Sequence, residues 1–183
     1  MDKPRCHWCS LNNPAYVAYH DTEWCVPVHD DRTLFELLVL ESFQSGLSWE
    51  CVLNKRANFR AAFDGFDHRM VAAYDDARVD ALLADPGIIR HRAKIRAAIA
   101  NARAFGRIQE EFGTFDAYIW SFTRGRTIRE IHRVQSPLSD TVSKDLRRRG
   151  MKFVGSVTVY SYLQAIGVLD SHEPGCWRAT ARC

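Results

Sequence analysis

Two groups of side chains in this chain have the types and spacing to do chemistry. The first centres on Glu41. In the run Thr33-Leu34-Phe35-Glu36-Leu37-Leu38-Val39-Leu40-Glu41, positions 34, 37, 38 and 41 follow helical spacing and share one face, so a carboxylate points into an apolar interior. Burying a charge without partners is expensive, and a residue kept in that position serves chemistry or a firm hydrogen-bond partner. Immediately downstream, Gln44-Ser45-Gly46-Leu47-Ser48-Trp49 reads as a glycine-kinked loop ending in an indole. An inward acid beside an aromatic face suits a flat, electron-poor ring. Trp8, Tyr16, Tyr19 and Trp24 crowd the first two dozen residues. Aromatic faces stack on bases at about 1–3 kcal/mol each, and tyrosine hydroxyls can read a heterocycle's edge. Taken singly, each of these rings reads more simply as a core residue.

The second group is Cys6 and His20 near one end of the sequence with His172 and Cys176 near the other. The His-x3-Cys spacing of 172–176 lets two ligands reach one ion. Two cysteines and two histidines make a closed tetrahedral zinc site, structural in character, because four protein ligands leave no open position for a reactive water. Such an ion would clip both terminal segments together. Cys9 also lies in a Cys-x2-Cys with Cys6, and His7 is a further candidate, so the first ligand stays open at this point. Free cysteines and surface histidines are the plain alternative.

These residues need elements to hold them. The spacing predicts helices over 31–43, from a Ser48 cap to about Phe63, two short ones capped by Asp67 and Asp75 and ending near Ala84, and a long one over 91–112 with Ile95, Ala98, Ile99, Ala102 and Phe105 on one face. Thr114 opens a short aromatic helix, and residues 123–138 read as irregular. Ser139 is the expected cap of a helix through Arg149, and Ser156 that of a second helix to Ile166, ended by Gly167. Between them, Gly150-Met151-Lys152-Phe153-Val154-Gly155 is a turn bounded by Gly150 and Gly155. A helix, such a turn and a second helix present backbone N–H groups and a positive helix end to a phosphate, with Lys152 adding charge. An ordinary helical hairpin packed in a core is the alternative. No segment alternates over several strands, so the expected class is all-α.

A length of 183 residues predicts one domain, 1–183. Apolar residues make up 46% and charged residues 26%, which is ordinary for a globule. There is no run of about 18 apolar residues, no apolar signal core at the start, and six cysteines without such a signal argue for reduced thiols. The expectation is a cytoplasmic protein with no membrane partner. The net charge of +3 says little about nucleic acid. Its distribution says more: Arg90, Arg92, Lys94 and Arg96 cluster beside one turn, and Lys144, Arg147, Arg148, Arg149 and Lys152 beside another.

Several motifs occur together and in order: Cys6; Tyr16-x-x-Tyr19-His20-Asp21-x-Glu23-Trp24; Glu41-x-x-Gln44-x-Gly46-Leu47-Ser48-Trp49; Gly87-Ile88-Ile89-Arg90-x-Arg92-x-Lys94-Ile95; Arg149-Gly150-x-Lys152-Phe153-Val154-Gly155; and His172-x3-Cys176. Over nearly the whole chain this resembles the 3-methyladenine DNA glycosylase I family of bacterial alkylation-repair enzymes. The resemblance implies a helix-hairpin-helix glycosylase fold, with the hairpin at about 139–166 and one structural zinc joining segments 1–25 and 168–183 through Cys6, His20, His172 and Cys176. It places the base-recognition and catalytic carboxylate at Glu41 and the base-binding aromatics at Tyr16, Tyr19 and Trp49, with Trp8 and Trp24 nearby. It places the DNA contacts at Gly46, Leu47, Gly150, Lys152 and Gly155. The implied activity is monofunctional hydrolysis of the N-glycosidic bond of 3-methyladenine, acting as a monomer on double-stranded DNA that carries alkylated bases. The chain departs from the usual pattern at Cys25, where glycine is typical, at Ala93, where glycine is frequent, and at Asp170, where asparagine is frequent. Two rival readings are a DNA-binding protein without catalysis and a zinc-stabilised helical module for a protein partner. Release of a base and salt-sensitive DNA affinity separate these.

Overall fold

The computed structural model describes residues 3–179; the outermost parts of both terminal segments, including Cys183, lie outside the described residues. Ten helices account for most of it: α1 Pro14–Thr22, α2 Asp31–Gln44, α3 Trp49–Leu53, α4 Arg56–Ala62, α5 His68–Ala72, α6 Asp76–Ala84, α7 Arg92–Phe112, α8 Phe115–Ser121, α9 Pro137–Arg148 and α10 Ser156–Ala165, with one 3-10 turn at Asp64–Phe66. The fold is mostly helical, as expected, with one addition. Two-residue strands β1 Ile128–Arg129 and β2 Leu169–Asp170 pair in parallel, Ile128 opposite Leu169. Strands this short have no periodicity to read, and their pairing is imposed by tertiary contact.

Helix α2 is the axis of the molecule. Every residue from Leu34 to Phe43 is buried, and α10, α7, α3 and α8 all pack on it. Asp30 opens it by accepting from the Thr33 N–H at 2.8 Å. At its other end the Lys94 ammonium, buried within α7, donates to the carbonyls of Phe43 at 2.9 Å and Ser45 at 2.6 Å. A cation on the last carbonyls of a helix satisfies groups that have no intrahelical donor. Lys94 is therefore not part of a phosphate-facing cluster. Arg92 and Arg96, its neighbours in sequence, pair with Asp80 and Asp76 at 2.8 and 2.9 Å.

Other boundaries differ from the expected ones. Asn13 caps α1 by accepting from Ala15 and Tyr16 N–H groups, with Pro14 at the first turn; this helix carries Tyr16, Tyr19 and His20. The predicted helix from Ser48 to Phe63 is two helices, since Lys55, at φ −102° and ψ 1°, leaves the helical path between α3 and α4. Helix α9 starts one turn early: Ser136 is the cap, and Ser139 is the reciprocal member of a capping box. Ser156 is the first residue of α10 and not its cap. Its hydroxyl turns to Ser139 Oγ at 2.8 Å and to Asp140, so α10 begins without a side-chain cap. Gly167 ends that region at φ +73°, and a Cβ there would lie 2.3 Å from the Val26 carbonyl carbon. Only glycine lets the end of α10 dock on residues 25–28, where Cys25 and Val28 N–H groups donate to Gln164 and Ile166 carbonyls at 2.9 and 3.0 Å.

Candidate base pocket and metal centre

Trp24, next to the segment that docks on α10, borders one cavity of about 360 Å³ together with residues from α1, α2 and the stretch after β2. Glu41 lies at its floor, and all five predicted aromatics line it: Trp8, Tyr16, Tyr19, Trp24 and Trp49. The rings hold one another. Trp8 meets Trp24 edge-on at 4.7 Å and Tyr16 at 5.3 Å, and Tyr19 meets Trp49 at 5.1 Å. Ser48 fixes Trp49 at the start of α3 by accepting from Cys51 N–H at 3.2 Å.

Glu41 is 3% exposed, and its Oε2 has no hydrogen-bond partner. Desolvation raises its pKa to about 8. Trp49, another lining residue, carries a second buried polar atom without a partner, its Nε1. Burial pushes the Tyr16 phenol up to about 12 and Tyr19 well above its ordinary value, so both hydroxyls stay protonated donors. The cavity therefore offers an unshared carboxyl, an unshared indole N–H, two phenols and several π faces: a lining for a flat ring that donates from its edge and carries positive charge.

Sequence reasoning missed part of this wall. Gln44, Ser161, Gln164, Ser171 and the loop residues His132, Arg133 and Val134 also line the cavity. The polar residues of α10 lie on the face of a helix read only as half of a hairpin, and the loop sits in a stretch with no periodicity.

Three of the four expected metal ligands converge. Donor atoms of Cys6, His20 and Cys176 lie within 4.8 Å of one another, with Cys176 Sγ 3.5 Å from His20 Nε2. His172 groups with Cys25 and Asp170 instead, though its ring lies 5.4 Å from that of His20. Both histidines are held alike: His20 Nδ1 bonds Asp21 Oδ1 and His172 Nδ1 bonds Asp170 Oδ1, each at 2.8 Å. A carboxylate on Nδ1 fixes the ring and leaves Nε2 to bind a metal, and His172 Nε2 is buried with no partner. The donor set fits zinc. Cys9 is excluded from the trio, with its thiol directed to the Tyr16 carbonyl at 3.9 Å. His7 is exposed, and its backbone N–H donates to Glu173 at 2.8 Å. Cys25 adopts φ +61° and is fully buried, its sulfur accepting from the Ser171 N–H at 3.4 Å. Asp170 is held by His172 on one oxygen and by Arg129 at 3.1 Å on the other, and it is not a cavity residue.

The predicted DNA-contact residues lie outside the cavity. Gly46 adopts φ +79° in open space, and Leu47 beyond it is 42% exposed. Ser45 Oγ sits 3.4 Å from Thr158 Oγ1, tying this loop to the first turn of α10. Gly150, at φ +96°, ends α9, and Lys152 and Gly155 are exposed. The Lys152 N–H is already taken by Asn101 Oδ1 at 2.7 Å. The Lys152 side chain joins Lys144 and Arg147 along a groove beside the turn. Arg149 does not contribute there, being paired with Glu111 and Asp145, each at 2.6 Å.

This geometry defines a class: a helical protein with an open aromatic cavity suited to a flat heterocycle, beside an exposed apolar loop and a basic groove. Known proteins narrow it. The methyladenine glycosylase family matches residues 8–179. DNA-3-methyladenine glycosylase 1 of Escherichia coli (strain K12) is 46% identical over 179 residues, covering 94% of this chain and 95% of that protein. The crystal structure of a 3-methyladenine DNA glycosylase I superposes with a TM-score of 0.90 at 45% identity, covering 95% and 98% of the two chains. A variant of 3-methyladenine DNA glycosylase I in complex with 3-methyladenine superposes at 0.89 and 33% identity, covering 94% and 97%. The chain belongs to the methyladenine glycosylase family.

Proposed function

We propose that this chain is a DNA-3-methyladenine glycosylase, a monofunctional hydrolase that cleaves the N-glycosidic bond of 3-methyladenine in alkylated DNA and leaves an abasic site. The observation that carries this reading is the unpartnered Glu41 carboxyl at the floor of an aromatic cavity. Methylation at N3 makes the ring cationic and a good leaving group, so the protein need not protonate it. The electron pair of the broken bond neutralises the ring, and water adds to the sugar carbon and gives up a proton to solvent. The chain's part is extraction, recognition and retention. Extrusion from the duplex costs a few kcal/mol, least for a damaged base. Glu41 accepts from the edge of the ring, which brings the positive charge that a desolvated carboxylate lacks in the empty cavity. Tyr16, Tyr19, Trp49, Trp8 and Trp24 supply the faces. Neutral adenine gains less and reacts more slowly.

Leu47 on its Gly46 turn fills the space the nucleotide leaves. The hairpin of α9, residues 150–155 and α10 takes backbone phosphates in the manner of helix-hairpin-helix glycosylases, through Gly150, Lys152, Gly155 and the uncapped start of α10. One structural zinc ion is held by Cys6, His20, His172 and Cys176, with Asp21 and Asp170 orienting the rings. It closes residues 3–25 against 168–179 and so holds the wall that carries Trp8 and Trp24. The orphaned His172 Nε2 supports this assignment. The test of function is chromatographic identification of what leaves methylated duplex DNA. Free 3-methyladenine is the expected product, and the absence of any released base overturns the reading.

A further inference from the structure

Residues 130–136 link β1 to α9, and neither the pocket nor the hairpin accounts for how they are presented. His132 takes φ +58°, the left-handed region that non-glycine residues seldom adopt. His132, Arg133 and Val134 all border the cavity and all are exposed. Val134 is 71% exposed, the most exposed of the large apolar residues described. Leu47, the apolar residue assigned above to the emptied stack, is less exposed at 42%. Among the described residues Arg133 forms no ion pair. Helix α9 spans the distance from this loop to the Gly150 turn. Its 12 residues set roughly 18 Å between them at 1.5 Å per residue, or about five nucleotide steps along one strand at 3.4 Å each.

We propose that residues 132–134 are a second DNA-contacting element at the cavity mouth, with Arg133 taking a phosphate beside the extruded nucleotide and Val134 packing on the base or sugar exposed by its departure. The inference rests on the proposed glycosylase reading, because only a nucleotide entering this cavity brings a strand past its rim. A short apolar side chain set against an unstacked step, flanked by a cation, is a combination that grips distorted duplex. A phosphate contact and an apolar contact also leave different signatures. The phosphate contact releases counterions and the apolar one does not.

The test is a binding titration of the full chain on a duplex containing a tetrahydrofuran abasic site, across 50–200 mM salt, for wild type, Arg133→Gln, Val134→Ser and Lys152→Gln. Free 3-methyladenine affinity and base release are measured on the same preparations. Arg133→Gln is expected to reduce the slope of log K against log salt by about 0.9, and its double variant with Lys152→Gln by about 1.8. Val134→Ser is expected to weaken duplex binding several-fold with the slope unchanged. Free-base affinity should hold in each single variant. Wild-type slope and affinity in both rim variants overturn the inference. So does weaker free-base binding with duplex affinity intact, since the loop would then only shape the cavity. A wild-type protein that releases no base fails the glycosylase reading itself, an outcome distinct from either.

Discussion

Helix α2 buries two glutamates, and they are treated in opposite ways. Glu36, 6% exposed, accepts from Arg56 Nε at 2.6 Å and from Arg60 Nε at 2.9 Å, while Arg56 also reaches Glu23 at 2.6 Å. Glu41, five residues on and 3% exposed, has an oxygen with no partner and faces a cavity. Helix, burial and side chain are the same, so the difference lies in what the surroundings provide. Glu36 staples the middle of α2 to α4 by charge. Glu41 keeps an oxygen without a partner beside the cavity. Buried polar atoms are ordinarily satisfied, and those that are not mark a function or a missing partner. Among the buried atoms without partners, Glu41 Oε2 and Trp49 Nε1 belong to residues that line the cavity, and His172 Nε2 lies beside the candidate metal ligands.

Removing Arg56 should have the largest effect on the molecule. Arg56→Ala leaves Glu36 buried with only the half-exposed Arg60, and breaking such a pair costs about 3–5 kcal/mol. Chemical denaturation should place the loss near the lower end of that range, and wild-type stability would show that the staple contributes nothing. Glu41→Gln should do the reverse, sparing stability and removing activity. A lost charge-stabilising contact in a closed site is worth about 10²–10³ in rate, so kcat/KM on methylated DNA should fall by about 10². Undiminished excision by that variant would remove Glu41 from the mechanism.

The same pair sharpens with pH. A carboxyl whose folded pKa lies near 8 keeps its proton where the unfolded chain, with a carboxyl near 4.3, has lost it. The folded state then binds more protons, and stability falls as pH rises from about 4 through 8. Glu41→Gln should flatten that slope and be more stable than wild type at pH 8.5, as read by melting temperature. Metal removal should act on one wall only. A chelator should lower the melting temperature and weaken free-base binding by loosening Trp8 and Trp24, while a metal content below one equivalent in protein purified without added zinc would discard the terminal clip. The smallest change expected is Lys152→Gln, a reduction of about 0.9 in the salt slope of DNA binding.

How legible these features were depended on how local their causes are. Glu41 could be placed from helical spacing alone, because three leucines within two turns fix the face. Glu36 could not, since its partners come from α4 and nothing in 31–43 announces them. Cys6 and Cys9 were indistinguishable by spacing, and their difference arises from the turn that sends Cys9 toward the Tyr16 carbonyl. Lys94 read as one of a basic cluster because a pattern of charges does not disclose that one of them reaches 51 residues away in sequence to the Phe43 carbonyl. The break between α3 and α4 lacks glycine or proline, and apolar spacing runs through it. The start of α9 was readable in principle from Pro137, a residue favoured at the first helical position. The β1–β2 pair and the 130–136 loop have no local pattern at all.

Glu41 is held here to be a desolvated carboxyl reserved for a cationic ring, and its own titration in the empty protein tests that most directly. Isotope-edited NMR of the Glu41 side-chain carbon, assigned by comparison with Glu41→Gln, should give a midpoint near 8. A midpoint at the ordinary glutamate value of about 4.3 would mean a solvated or partnered group, and the recognition proposed for this cavity would be wrong.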